Sequence, residues 1–124
     1  MSYYDVQYHH SVQFHPTLLE TLYDAYLHHR QTRETTDYMT REGQITFNYY
    51  PEYKEMEHLV VIYVIQVARQ REGIFARLLQ AITSDTTMSV CVACVGGTMD
   101  AILSKMVLRG RPFVAKSCDY FWTP

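Results

Sequence analysis

No apolar run in this chain reaches the roughly 18 residues that a membrane-spanning helix needs. The longest, Leu59 to Ile65, has the length of a strand. The first residues, MSYYDVQYHH, lack the basic region followed by an apolar one that marks a secretory signal. Cysteine is scarce and odd in number, three in 124 residues, with no framework of spacings, which suits a reducing compartment. These absences lead us to expect an intracellular, cytoplasmic protein with no membrane partner. The six histidines include two adjacent pairs, His9–His10 and His28–His29, but no HxH or HxxxH. Adjacent residues point apart in helix and strand alike, so each pair supplies at most one ligand. Cys91 and Cys94 form a CxxC inside MSVCVACV, which reads as a strand. Residues three apart in a strand face opposite ways, so buried thiols are expected and a shared metal is not. No residues mark the nucleophile of a Ser–His–Asp or Cys–His triad, and there is no repeat or low-complexity tract.

What is present suits one globular domain over residues 1–124. Hydrophobic residues make up 48% and charged residues 19%, enough apolar surface for a core and too little charge for global disorder. The charge is uneven. Residues 1–68 carry −5 and residues 69–124 carry +3, compatible with a solvated surface or with an anionic ligand on the C-terminal half.

Taken in order, YYDVQYHHSVQF (3–14) suits a first strand. His15-Pro16 opens a helix whose apolar face is Leu18, Leu19, Leu22, Tyr23, Tyr26 and Leu27. QTRETTDYMTREGQ is polar and fits a short helix, a weak strand or a loop. Ile45, Phe47 and Tyr49 alternate in a half-buried strand stopped by Pro51. EYKEMEH is a charged connection of hairpin length. The stretch from about His58 to Val67 is apolar on both faces, which implies cover on both sides. A polar turn with one glycine follows, then a helix with Ile74, Phe75, Leu78, Leu79 and Ile82 on one stripe. Met88 to Val95 is a second apolar strand. Thr98 caps a helix in which Met99, Ile102, Leu103, Met106 and Val107 share a face, ended by Gly110 and Pro112. PFVAKSCDYFW reads as a last strand. The expected fold is α/β (α+β): a mixed, largely antiparallel sheet with helices on both faces, a crossover at 58–95 and parallel pairing there.

A strand, a glycine-bearing turn and a helix N-terminus in that order make an anion site, because the first helical N–H groups are unpartnered and lie at the positive end of the dipole. Here the turn reads Gln70-Arg71-Glu72-Gly73-Ile74-Phe75, followed by ARLL. This resembles the signature of the GNAT superfamily of N-acetyltransferases: Arg or Gln, two residues, Gly, one residue, then Gly or Ala. The likeness is best over 58–124, where strand, helix, strand, helix, glycine and aromatic strand follow in the family's order. Residues 1–57 match in arrangement only. Small divergent GNAT-like chains, some virion-associated, occur in bacteriophages, and this chain resembles those, which would place it in a host cytoplasm or virion.

The resemblance implies acetyl-CoA or another acyl-CoA as cosubstrate, and no metal. Amides from Arg71 to Phe75, with Gln70 and Glu72 in the same turn, would hold the coenzyme A pyrophosphate, and Arg69 or Arg71 would add charge. The backbone of Ile65, Gln66 and Val67 would pair with the pantetheine arm, in a slot where this strand splays from the next. Glu57 or His58, at the entry of the central strand, is the candidate base, with Tyr63 as a polar partner; Tyr120 is a further tyrosine able to approach from the last strand. Three departures stand out. Phe75 takes the last signature position, either crowding the phosphates or pointing into the core. Met106 lies near the place of the family's proton-donating tyrosine. Arg111-Pro112-Phe113 follows the glycine where Gly-Phe is usual. Three functions follow. The first is an acyl-CoA-dependent N-acyltransferase acting on an amine of a small molecule or protein. The second is a catalytically degenerate GNAT-fold protein that binds a protein partner. The third is nucleic-acid base modification, disfavoured by the negative net charge and the lack of aromatic–basic interleaving.

Overall fold

The computed structural model describes residues 18–39, 43–67, 73–93 and 95–124, with backbone alone at 54, 55, 64, 66 and 67. Its elements are α1 (Leu18–Thr32), β1 (Thr36–Met39), β2 (Gly43–Asn48), a 3-10 turn (Lys54–His58), β3 (Leu59–Val67), α2 (Ile74–Ile82) and β4 (Ser89–Val92). They continue with α3 (Gly97–Leu103), β5 (Val107–Leu108), β6 (Arg111–Pro112), β7 (Val114–Lys116) and β8 (Asp119–Trp122). Six strands form one sheet in the order β1-β2-β3-β4-β8-β7, and β5 and β6 form a separate hairpin. Among the described residues the one parallel pair is β3 with β4, joined over α2; the other pairs are antiparallel. The expected mixed, largely antiparallel α+β sheet is the fold.

The core lies between that sheet and its helices. α1 contributes Leu22, Ala25 and Tyr26, and α2 contributes Ile74, Phe75, Leu78, Leu79 and Ile82. They meet Ile45 and Phe47 of β2, Val60 and Ile62 of β3, Val90 and Val92 of β4, and Tyr120 and Trp122 of β8. The 3.6-residue stripe of α2 thus meets the two-residue alternation of four strands. Each such aliphatic side chain contributes roughly 1.5–3 kcal/mol on burial. α3 joins the same face through Leu103. The second face has a smaller cluster, Met56 of the 3-10 turn with Val61 and Cys91, flanked by Tyr49, Tyr50, Leu59, Ala93 and Phe121. Among the described residues the helices share one face, and the 3-10 turn supplies the cover on the other, where the apolar run of β3 pointed to a helix. A turn suffices because Tyr49 and Tyr50 pack against the same cluster.

Polar ties fix the ends of the helices. Arg30, in the last turn of α1, donates to Met56 O at 2.9 Å and also to Glu57 O, so one guanidinium satisfies two carbonyls of the 3-10 turn. Arg109 donates through Nε to Thr83 Oγ1 (3.1 Å) and through a terminal nitrogen to Gln80 O (2.9 Å), placing a cation at the negative end of α2. Trp122, 2% exposed, donates its indole N–H to Leu108 O at 3.0 Å and Arg111 O at 3.3 Å. That bond pins the β5–β6 hairpin to the sheet.

Several expectations need correcting. The helix read over Thr98–Arg109 stops at Leu103, and Val107 and Leu108 turn into a hairpin strand. Arg109 and Gly110 both take positive φ there, 51° and 79°, which no helix continues through. The single last strand is a hairpin, β7 with β8, turning at Ser117 (φ 59°). Of the options for the polar stretch after α1 the strand holds, as β1, and EYKEMEH lies in the hairpin connection between β2 and β3, its last five residues forming the 3-10 turn Lys54–His58. Leu27 stands exposed. The first strand expected at 3–14 lies outside the described residues, as do Cys94 and the helix opening at His15-Pro16. Cys91 is buried and Cys118 exposed. No described helix is long and apolar enough to cross a membrane.

His29 is the titratable group most committed to the core, at 2% exposure. Its Nδ1 donates to Glu34 O at 2.7 Å and its ring stacks on Phe47 at 5.5 Å between centroids. Burial holds its pKa below the ordinary imidazole value, against the opposing Glu34 carbonyl, while Arg30 and His28 push the same way as burial. The unfolded chain takes up a proton near pH 6.5 and the folded chain only at lower pH. Stability from this group is therefore complete above about pH 6.5 and falls as the pH drops below it. His29→Leu should lower stability at pH 8 by about 1–2 kcal/mol, through the lost Glu34 bond, and should flatten the decline between pH 7 and 5. Urea midpoints across that range measure both effects, and an unchanged slope in the variant would remove His29 from the account.

Candidate functional site at the divergence of β3 and β4

β3 and β4 are paired from Leu59↔Ser89 to Ile62↔Val92, and Ala93 N–H still donates to Ile62 O at 2.8 Å. Beyond this point they part. β3 continues to Val67 against β2, through Ile45↔Ile65, Gln44↔Gln66 and Gly43↔Val67. The other strand turns to its opposite neighbour, with Val95 N–H donating to Cys118 O at 2.7 Å. The cause is local. The β2–β3 register jumps from Thr46↔Val64 to Phe47↔Ile62, so Tyr63 is the extra residue of a β-bulge. Core-packed positions on β3 accordingly run Val60, Ile62 and then Ile65. A bulge bends its strand and increases its twist, carrying the far half of β3 away from β4.

α2 begins at the end of this diverging segment. Gly73 is its N-cap, with φ 67° and ψ 25° and no side-chain cap. A Cβ built at Gly73 meets nothing within 4 Å, so the glycine answers a backbone requirement rather than a steric one. The first helical bond runs from Arg77 N–H to Gly73 O at 3.0 Å. No acidic residue occupies the first turn, where one would ordinarily offset the dipole, and Arg77 stands there instead. The N-terminal amides thus form an electropositive end.

The candidates from sequence divide into two groups. Ile65 is half-buried against the core, and Gln66 and Val67 extend β3 along the diverging side. Gly73 is exposed, while the side chains of Ile74 and Phe75 are in the core at 8% and 7% exposure. Of the two alternatives for Phe75, the core holds, which leaves its amide and not its ring toward the turn. Arg69, Gln70, Arg71 and Glu72 lie outside the described residues. Tyr63 is 45% exposed at the bulge. Glu57 and His58 belong to the other end of β3. At ~3.3 Å per strand residue, His58 precedes Ile62 by roughly 13 Å, beyond hydrogen-bond reach of a group held at the divergence. Glu57 also faces Arg33, 3.5 Å away in an exposed ion pair, a contact worth little on its own. Of the described candidates, Ile65 to Val67 and Gly73 to Phe75 follow the bulge, while Glu57 and His58 lie at the other end of β3.

One polar pair escaped the sequence reading. Tyr120 OH donates to Asp100 Oδ1 at 2.5 Å, joining β8 to α3. Tyr120 is opposite Val92, which is opposite Ile62, so the phenol lies on the row where β3 and β4 separate. The Asp100 hydrogen bond raises the phenol's pKa above its usual value, burial adds to this, and the carboxylate charge adds again. The hydroxyl stays protonated and committed to Asp100. Nothing local in sequence joins residues twenty apart on a helix and a strand. Met106 follows α3 in a turn and packs half-buried against the core, where its thioether supplies no proton. Among the described residues no three His, Cys, Asp or Glu side chains gather as a metal site.

Gly73→Ala isolates the conformational part of this turn. With open space around the added methyl, the substitution should cost about 1 kcal/mol for a left-handed non-glycine residue. That is a fall of roughly 3–5 °C in Tm for a domain of this size. A loss above about 3 kcal/mol would instead mean that the methyl meets a neighbour. No protein-family model, curated protein or solved structure matches the chain, and the likeness to GNAT proteins stands on its residues and their order alone.

Proposed function

We propose that this chain is an acyl-CoA-dependent N-acyltransferase that binds acetyl-CoA at the divergence of β3 and β4 and passes the acetyl group to an amine of a small molecule or protein. The observation that carries this reading is the end of β3–β4 pairing at Ile62↔Val92 while β3 runs on to Val67. Backbone groups on the diverging side of β3 are placed to pair with an extended, amide-bearing pantetheine arm. The N-terminus of α2, with no side-chain cap and no acid in its first turn, stands where the pyrophosphate would follow. In the transfer the amine nitrogen bonds to the acyl carbon, the C–S bond breaks, and coenzyme A leaves as a thiolate that takes up the proton shed by the amine. Positioning of the thioester is the contribution the described residues make most clearly.

A second reading has its own support. Glu57 and His58 are remote from the divergence, and Met106 offers no acid. A chain that binds coenzyme A without turning it over is consistent with these placements. Calorimetric titration with acetyl-CoA should give micromolar binding that is lost in Gly73→Asp, whose carboxylate would meet the phosphates, and retained within a few-fold in Gly73→Ala. No heat at millimolar ligand would end the acyltransferase reading and the coenzyme-binding one together. With binding established, release of free thiol in the presence of spermidine or lysine-containing peptides separates an enzyme from a binding protein.

A further inference from the structure

Far from the N-terminus of α2, at the other margin of the sheet, lies a surface that the acyl-transfer reading does not use. Among the described residues β7 is the last strand of the sheet order and pairs with β8 alone. All three of its residues, Val114, Ala115 and Lys116, are exposed. Val114 is 62% exposed, and Val107, across from Pro112 in the adjoining hairpin, is 64% exposed. The surrounding charge is mostly positive. From Ala101 to Cys118 the chain carries Lys105, Arg109, Arg111 and Lys116 and no acidic residue. Arg109 is occupied at the end of α2, while Lys105, Arg111 and Lys116 are exposed. Of the flanking carboxylates, Asp100 accepts from Tyr120, and Asp119 is the cross-strand neighbour of Lys116, leaving Lys105 and Arg111 as the cations without an acidic neighbour in this stretch.

From this we infer that β7 is a docking edge for an extended acidic segment of a partner protein, added to the sheet as a seventh strand. β7 and β8 are joined by a two-residue turn, with Lys116↔Asp119 as the closing pair. In such a hairpin the closing pair exchanges both ladder bonds and the next pair exchanges none. Ala115 therefore turns its N–H and C=O outward, and a partner strand can take both. Val114 and Lys116 flank it on one face, where apolar and acidic side chains at alternate positions of the partner meet them. Nucleic acid fits less well, because Phe113, the aromatic residue of this stretch, is buried and no stacking platform is offered. An anionic membrane would use the charge but leave the Ala115 backbone groups unpaired. A second copy is disfavoured because antiparallel pairing of β7 with itself brings two like-charged patches together.

The test uses the full chain and a fluorescein-labelled peptide of sequence Thr-Val-Thr-Glu-Thr-Val-Thr-Glu, whose valines and glutamates alternate along one face, read by anisotropy at 50 and 200 mM salt. Expected are saturable binding, weakening at the higher salt, and no binding of the Lys-for-acid version. Ala115→Pro removes the outward N–H without touching the ladder to β8, and should weaken the acidic peptide at least about tenfold with Tm unchanged. The double variant Arg111→Glu with Lys116→Glu should transfer the preference to the basic peptide, which tests the charge independently of whether Ala115→Pro folds. Amide exchange at Ala115 should slow when the acidic peptide is bound. Absence of peptide binding overturns the inference. So does tighter binding of oligothymidylate or phosphatidylserine vesicles that is indifferent to Ala115→Pro.

Discussion

The parallel pairing of β3 with β4 is the constraint on which the rest of this structure depends. Parallel neighbours cannot be joined by a tight turn, so the chain must leave the sheet, cross over it and return. α2 makes that crossing. Nine residues of helix rise about 13.5 Å, close to the roughly 13 Å covered by four residues of paired strand. β3 continues from Tyr63 to Val67 beyond its last pair with β4, and the bulge at Tyr63 directs that part away from β4. The opening between the strands follows from that bulge.

Placing the described helices on one face has a cost that the polar contacts offset. A sheet with a single helical layer buries one side of each strand well and the other only where something is laid across it. The 3-10 turn does this for Val61 and Cys91, and Arg30 holds the turn by its carbonyls to the end of α1. At the opposite margin Trp122 holds the β5–β6 hairpin, and Arg109 then ties that hairpin to the C-terminal end of α2. These three side chains are long, carry donors in fixed directions, and reach across elements that share little apolar contact. Each satisfies carbonyls that would otherwise end a helix or turn without partners.

Where local pattern and tertiary contact agree, the sequence was informative. Ile74, Phe75, Leu78, Leu79 and Ile82 repeat at helical spacing and are the buried face of α2. Val60 to Ile62 and Val90 to Val92 are apolar on successive positions because both faces of β3 and β4 meet side chains there. The failures are places where a distant residue decides. Met99, Ile102, Leu103, Met106 and Val107 share a helical period, yet the chain leaves the helix at Leu103. The indole of Trp122 claims Leu108 O and Arg111 O, an interaction that no window around Met106 contains. The turn at Ser117 was missed because a serine at positive φ replaces the glycine or asparagine that usually announces it. At the candidate site, sequence order placed Glu57 and His58 beside the central strand but not at which end of it the chemistry would fall. Strand length alone separates them from the divergence.

The two ends of α2 bear on why this helix is built as it is. A helix needed only for packing would be expected to carry Asp, Ser or Asn at its N-cap, worth ~1 kcal/mol over a residue without a capping side chain, and an acid in its first turn. α2 has neither. It begins with a glycine in the left-handed region and places Arg77 where an acid would help. Its C-terminus is treated in the opposite way: Arg109 reaches from another element to meet Gln80 O and Thr83, and Thr83 Oγ1 itself donates to Leu79 O at 2.7 Å. The negative end of the dipole is thus satisfied within the fold, while the positive end has no side-chain cap from Gly73. That asymmetry forgoes an N-terminal stabilisation available by a single substitution at the cap. On the coenzyme-binding reading proposed above, the phosphates would take the place of that cap.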